Sequence, residues 1–139
     1  MGIMASSRIC LDTDVIIDYL SGYPEAVINA AVQYDAYITT VTLFELEATT
    51  FLTQHQRQLL QRIYLAINVI PLDELAARRA AQVSRELRTK GIKASPKESF
   101  IAGVCLTENL PLMTRNERVF RQVEGLQIIT PAEMQPGLN

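Results

Sequence analysis

The chain of 139 residues has no tryptophan, one histidine (His55) and two cysteines, Cys10 and Cys105. Each shortage excludes a class of function. A single histidine in the polar stretch TQHQRQ leaves no imidazole cluster for zinc, and it reads as a solvated helix residue. The cysteines sit in apolar runs, ICL and GVCL, without metal-ligand spacing. Neither a zinc site nor a disulfide framework is expected, and both read as small buried hydrophobes. Aromatic residues are only 6%, too few for an RNA-recognition sheet that stacks bases. No apolar run approaches the ~18 residues of a membrane span, and the opening MGIMASSR lacks the apolar segment of a secretory signal. Gly2 with Ser6 matches a myristoylation pattern, which matters only in a eukaryotic cell. Net charge is -2, so bulk attraction does not hold nucleic acid; local basic residues or a metal must grip the phosphates. A cytoplasmic protein away from membranes is expected.

What the chain does have is apolar residues at 48% and charged residues at 20%, the balance of a globular protein. A chain of this length buries roughly two-thirds of its unfolded surface, and residues 1–139 are expected to form a single domain. Strand-like and helix-like segments alternate. Strands are expected over residues 8–12, 36–39, 68–72, 110–114 and 126–129. Helices are expected over 15–20, 24–34, 42–52, 54–66, 73–89, 95–108 and 116–121. The strands are short, apolar and without clean alternation. That pattern predicts an α/β fold, a three-layer α/β/α sandwich with a central parallel sheet. Ligands then bind at the carboxyl ends of the strands.

Acids collect at that edge. Asp12 and Asp14 end the first strand and enter the first helix. Glu45 lies about a turn into the helix after the second strand, and Glu98 lies in the first turn of the helix that Ser95 opens. Asn116 and Thr114 follow the strand over residues 110–114. Two carboxylates ~4 Å apart repel by roughly 4 kcal/mol at an effective dielectric of 20, and a divalent cation removes that cost. An all-oxygen set suits magnesium or manganese. A metal so held activates water and steadies a phosphoryl transition state. Capping offers a plainer explanation of single residues: Thr42-x-x-Glu45 and Ser95-x-x-Glu98 both have the pattern of a capping box, and Asp12 suits an N-cap. Capping explains one acid at the first junction and not two. Asp18 reads as a solvated helix residue. Basic residues crowd two segments, Arg85, Arg88, Lys90, Lys93 and Lys97, then Arg115, Arg118 and Arg121. They fit either solvated faces or a phosphate-gripping rim.

The motifs LDTDVIIDYL, TTVTLFELE, GIKASPKESFIAG and LPLMTRNERVF, in this order and spacing, resemble the PIN-domain ribonucleases and, among them, the VapC-type toxins of prokaryotic toxin–antitoxin pairs. The resemblance runs from about Arg8 to Ile129. It implies metal-dependent endoribonuclease activity with Mg2+ or Mn2+. By position it places catalytic acids at Asp12, Glu45 and Glu98, and metal ligands at Asp12, Glu98, Asn116 and Asp14, Asp12 directly and Asp14 in a supporting position through water. Substrate contacts fall to Thr114, Arg115 and Lys97. Glu98 departs from the family's usual Asp, and Asn116 lowers the charge, which favours one well-held ion over two. The implied partners are an RNA substrate, a cognate antitoxin protein and a second copy of the chain. For the last, Leu59, Leu60, Ile63 and Leu65 exceed what one buried helix face needs and predict a dimer surface on the helix pair over residues 41–66.

Three other readings compete. A strand followed by Asp-x-Asp also opens the haloacid-dehalogenase-like phosphatases, with the first Asp as nucleophile. That family needs a mid-chain Lys and a late acid pair; the only lysines are Lys90, Lys93 and Lys97, and no adjacent acid pair follows Asp73-Glu74. A degenerate PIN-like fold would bind RNA or a partner without cutting, and a housekeeping RNA-processing nuclease would keep the chemistry without the toxin role.

Overall fold

A computed structural model describes residues 7–134; the Gly2/Ser6 pattern lies outside them. The elements run β1 (Arg8–Leu11), α1 (Thr13–Leu20), α2 (Glu25–Gln33), β2 (Asp35–Thr39), α3 (Thr40–Ala48), α4 (Gln54–Ala66), β3 (Asn68–Ile70), α5 (Glu74–Thr89), α6 (Pro96–Glu108), β4 (Leu112–Met113), α7 (Glu117–Phe120) and β5 (Ile128–Ile129). The strands pair in the order β3-β2-β1-β4-β5, all parallel. The chain builds outward from β1 to β3, then returns to β1's other side with β4. The strand order therefore reverses between β1 and β4, and a crevice opens there beyond the carboxyl ends.

Both faces of the sheet are covered, which explains the missing alternation. In β1, Ile9 and Leu11 point into one core with Ile38, Met113 and the apolar faces of α1 to α4. Cys10 points into the other, with Leu112, Ile70 and residues of α5, α6 and α7. Successive side chains face opposite layers, and both layers are apolar. Cys10 and Cys105, distant in sequence, meet in the second core, both buried and reduced. A hydrogen bond from Cys10, then burial, pushes the Cys105 thiol well above its ordinary value.

Several boundaries differ from expectation for local reasons. The third strand stops at Ile70, because Pro71 has no N–H to continue the ladder. The third helix starts at Thr40, capped by Thr39, whose hydroxyl accepts from Thr42 N–H at 3.1 Å. Thr42 therefore caps nothing, and the box predicted for Thr42 and Glu45 is not formed. The helix ends at Ala48 and a turn carries the chain to Thr53. The α5 helix closes at Gly91 (φ +75) with Ile92 N–H on Leu87 O and Gly91 N–H on Arg88 O, a Schellman pairing that turns the chain toward α6.

The four residues on which a dimer surface over the helix pair 41–66 is expected are mostly turned inward. Leu60 and Ile63 are core residues and Leu59 packs against them; only Leu65 of the four faces out. The periodicity that looked surplus serves α4's own packing.

Candidate active site

The crevice between β1 and β4 is a cleft of about 480 Å³. Asp12, Asp14, Glu45, Lys97, Glu98, Arg115 and Asn116 all line it, so seven of the eight side chains singled out from the sequence come together. The eighth, Thr114, is fully buried behind Asp12. Its hydroxyl donates to Asp12 Oδ2 at 2.7 Å and accepts Asn116 N–H at 2.9 Å. Thr114, expected to touch substrate, instead bridges the ends of β1 and β4 and fixes Asp12 from below.

Asp12 caps α1: its Oδ1 accepts Thr13 N–H at 2.8 Å. Capping and site membership are thus not alternatives here. The residue is only 7% exposed. Burial first, then the charge of Asp14, raises its pKa from 3.8 to about 6 against the opposing hydrogen bonds. Asp14 Oδ2 accepts Arg115 N–H at 3.2 Å, while its Oδ1 is buried without a hydrogen-bond partner. Burial raises the Asp14 pKa as well, partly offset by that backbone bond and the Arg115 charge.

Glu45 escapes a capping role and reaches the cleft from α3. Its Oε1 accepts the Thr13 hydroxyl at 2.6 Å, and its Oε2 pairs with Lys97 Nζ at 2.5 Å. Glu98 caps its helix and also lines the cleft. In a complete capping box, Ser95 N–H donates to its Oε1 at 2.7 Å and Glu98 N–H donates to Ser95 Oγ. Its Oε2 accepts from Asn116 Nδ2 at 2.5 Å.

Among the described residues, no three acidic, histidine or cysteine side chains stand ready-made around one point. Asp12, Asp14, Glu98 and Asn116, expected to hold a metal together, line one cleft without closing on a common point. The reason is electrostatic: like-charged carboxylates repel and take separate donors. Glu45 is drawn to Lys97, and Glu98 to its own helix start and Asn116. The donor set still fits a hard divalent cation. It is all oxygen, and an orphaned buried oxygen of Asp14 lies next to a carboxyl whose ionisation the fold opposes. Excess negative potential of this kind is what a cation relieves.

The basic residues sort clearly. Only Lys97 and Arg115 line the cleft. Arg115 Nε pairs at 2.9 Å with Asp18, which is therefore an anchor rather than a solvated residue. Arg121 pairs with Glu117, Lys90 bonds Gln122 O, and Arg88 bonds Ser84. The predicted rim thus shrinks to two residues. Thr13 is a site residue that the sequence pattern alone does not single out. Its one signal is its position inside LDTD, between the two acids, where a hydroxyl joins α1 to Glu45.

Comparison with known proteins agrees with this geometry. The PIN domain family matches residues 9–126. A tRNA(fMet)-specific endonuclease VapC from Shigella flexneri is 27% identical over 128 residues, which is 86% of this chain and 95% of that protein. A crystal structure of DNA-bound VapBC from Salmonella typhimurium shares the fold with a TM-score of 0.80 at 24% identity, covering 90% of this chain and 98% of that one. A toxin–antitoxin complex from Klebsiella pneumoniae does so with a TM-score of 0.70 at 24% identity, covering 88% and 97%.

Proposed function

Because this chain belongs to the PIN domain family, we propose that it is an endoribonuclease that uses Mg2+ or Mn2+, acts in the cytoplasm and serves as the toxin of a toxin–antitoxin pair. The observation that carries the reading is the acid pair at the β1/β4 crevice: Asp12 with its raised pKa beside the unpartnered Asp14 oxygen. A fold keeps so unfavourable a pair where a cation offsets it. The likeness to a VapC endonuclease and to toxin–antitoxin complexes supports the RNA substrate and a cognate antitoxin as partner.

In this reading Asp12, Asp14 and Glu98 hold the ion, with the Asn116 carbonyl as a neutral donor. Bound there, the ion supplies charge neutralisation and Lewis acidity toward a phosphodiester. Thr114 and Thr13 N–H hold Asp12 in one orientation, so its carboxylate needs no reorganisation during the reaction. Glu45, oriented by the Thr13 hydroxyl, is the acid best placed to take a proton from an attacking water. Lys97, 58% exposed at the cleft mouth, meets the phosphate, and Arg115 keeps Asp14 and Asp18 in register. Glu98, longer than the family's usual Asp, reaches the cleft while capping α6, so its extra methylene is absorbed by the capping box.

The experiment is cleavage of pooled single-stranded and structured RNAs with magnesium, with manganese and with excess chelator. Metal-dependent cutting supports the reading. Binding of RNA without cutting under every metal moves the chain to a degenerate, non-cleaving role.

A further inference from the structure

We propose that an apolar groove beside the catalytic cleft, walled by Phe44 and Phe51, holds a nucleobase of single-stranded RNA next to the phosphate that is cut. The proposal rests on the nuclease reading above and names the subsite that grips the substrate.

The chain has four phenylalanines. Phe120 is core, yet Phe44 and Phe51 are 70% and 71% exposed. Both line a groove whose floor includes Ile17 and Ala48. This groove is continuous with the catalytic cleft, since Thr13, Ile17, Glu45 and Lys97 line both. The apolar rings thus line one end of a continuous channel and Asp12, Asp14 and Glu98 the other, with Glu45 and Lys97 shared between the two. A nucleotide has this layout, with an aromatic base on one side of a charged phosphate. Exposed rings stack on bases of any identity, because every base has a π-face.

The polar groups of the groove are engaged within the protein, beginning with Glu45 and Lys97, which pair with each other. Thr49 donates its hydroxyl to Glu45 O at 2.8 Å, and Thr13 donates to the Glu45 carboxylate. Both hydroxyl protons in the wall are spent within the protein, which leaves no hydroxyl donor for a base edge. The subsite therefore stacks without discriminating, and binding there depends on a base being present rather than on which base it is.

The test uses Phe44→Leu, Phe51→Leu and the double variant with labelled single-stranded oligoribonucleotides, intact or carrying one abasic residue walked along the strand. Each lost ring is expected to raise KM about tenfold, with kcat changed by no more than about twofold. An abasic residue at one position adjoining the cut should weaken the wild type equally and the double variant no further. Unchanged KM in the double variant, or an abasic penalty undiminished in it, overturns the proposal and leaves the groove to a protein. If the wild type cuts no RNA, the nuclease reading fails separately. The same comparison is then made on the Kd of the labelled oligomer by fluorescence anisotropy, where unchanged affinity overturns the subsite and lost affinity upholds it. Should the leucine variants melt lower, Phe44→Tyr, which keeps the ring, must restore the wild-type KM; failure to do so also overturns it.

Discussion

Replacing Asp12 by asparagine should make the metal-free protein more stable at neutral pH, although it removes the central residue of the site. The Asp12 carboxyl titrates near 6 in the fold against 3.8 for the free group. Each tenfold change in an ionisation constant corresponds to about 1.4 kcal/mol, so ionised Asp12 costs the fold about 3 kcal/mol. The folded chain keeps this proton in a window where the unfolded chain has released it. Stability therefore falls as pH rises from about 4 to about 6, and the cost is complete above about 7. Asparagine carries no charge but cannot accept both present hydrogen bonds, because Thr114 donates to one oxygen and Thr13 to the other. Losing one costs about 1 kcal/mol, leaving a net gain of about 2 kcal/mol above pH 7. Urea denaturation of both proteins in chelator, followed by circular dichroism from pH 4 to 8, measures the difference directly. The variant should be the less stable at the acid end and the more stable at the neutral end. A difference that stays constant with pH, or a variant less stable at neutral pH, would refute the reasoning.

Other substitutions separate the site from the scaffold. Gly103 lets α6 approach α5: a Cβ there would lie 2.6 Å from Ala76 O and 2.7 Å from Ala80 N. Gly103→Ala should thus destabilise by about 1–3 kcal/mol or more, seen as a lower Tm; an unchanged Tm would show that the helices slide apart freely. Glu98→Gln keeps an N3 partner for the capping box but removes the charge. It should lower stability by only about 1 kcal/mol, since an amide oxygen cannot accept from both Ser95 N–H and Asn116 Nδ2, while weakening Mn2+ binding measured by calorimetry, and equal metal affinity would take Glu98 out of the ligand set. Lys97→Met removes a positive charge that lines the cleft beside the acids and should tighten Mn2+ binding while raising KM for RNA; weaker metal binding would show that the Lys97 charge does not oppose a cation there.

The first junction was legible because Asp12 ends a buried apolar run, where few ordinary roles exist for a carboxylate, and Asp14 repeats the anomaly two residues on. The sandwich was legible from strands lacking alternation, since β1 feeds two apolar layers at once. Capping was harder. Thr42/Glu45 and Ser95/Glu98 share one local pattern, yet only the second forms a box. The helix start is fixed by where β2's ladder ends at Thr39, a tertiary fact that the pattern does not carry. The Lys97–Glu45 pair and the burial of Thr114 depend on how α3, α6 and β4 meet at one edge. Phe44 and Phe51 both fall within the helix expected over 42–52, and only packing shows that neither is buried.

The central claim is tested most directly by incubating wild type and Asp12→Asn, side by side, with RNA in the presence of Mg2+ or Mn2+. The wild type should show metal-dependent cleavage, abolished by chelator and lost in the folded variant. Equal cleavage by the two proteins would contradict it.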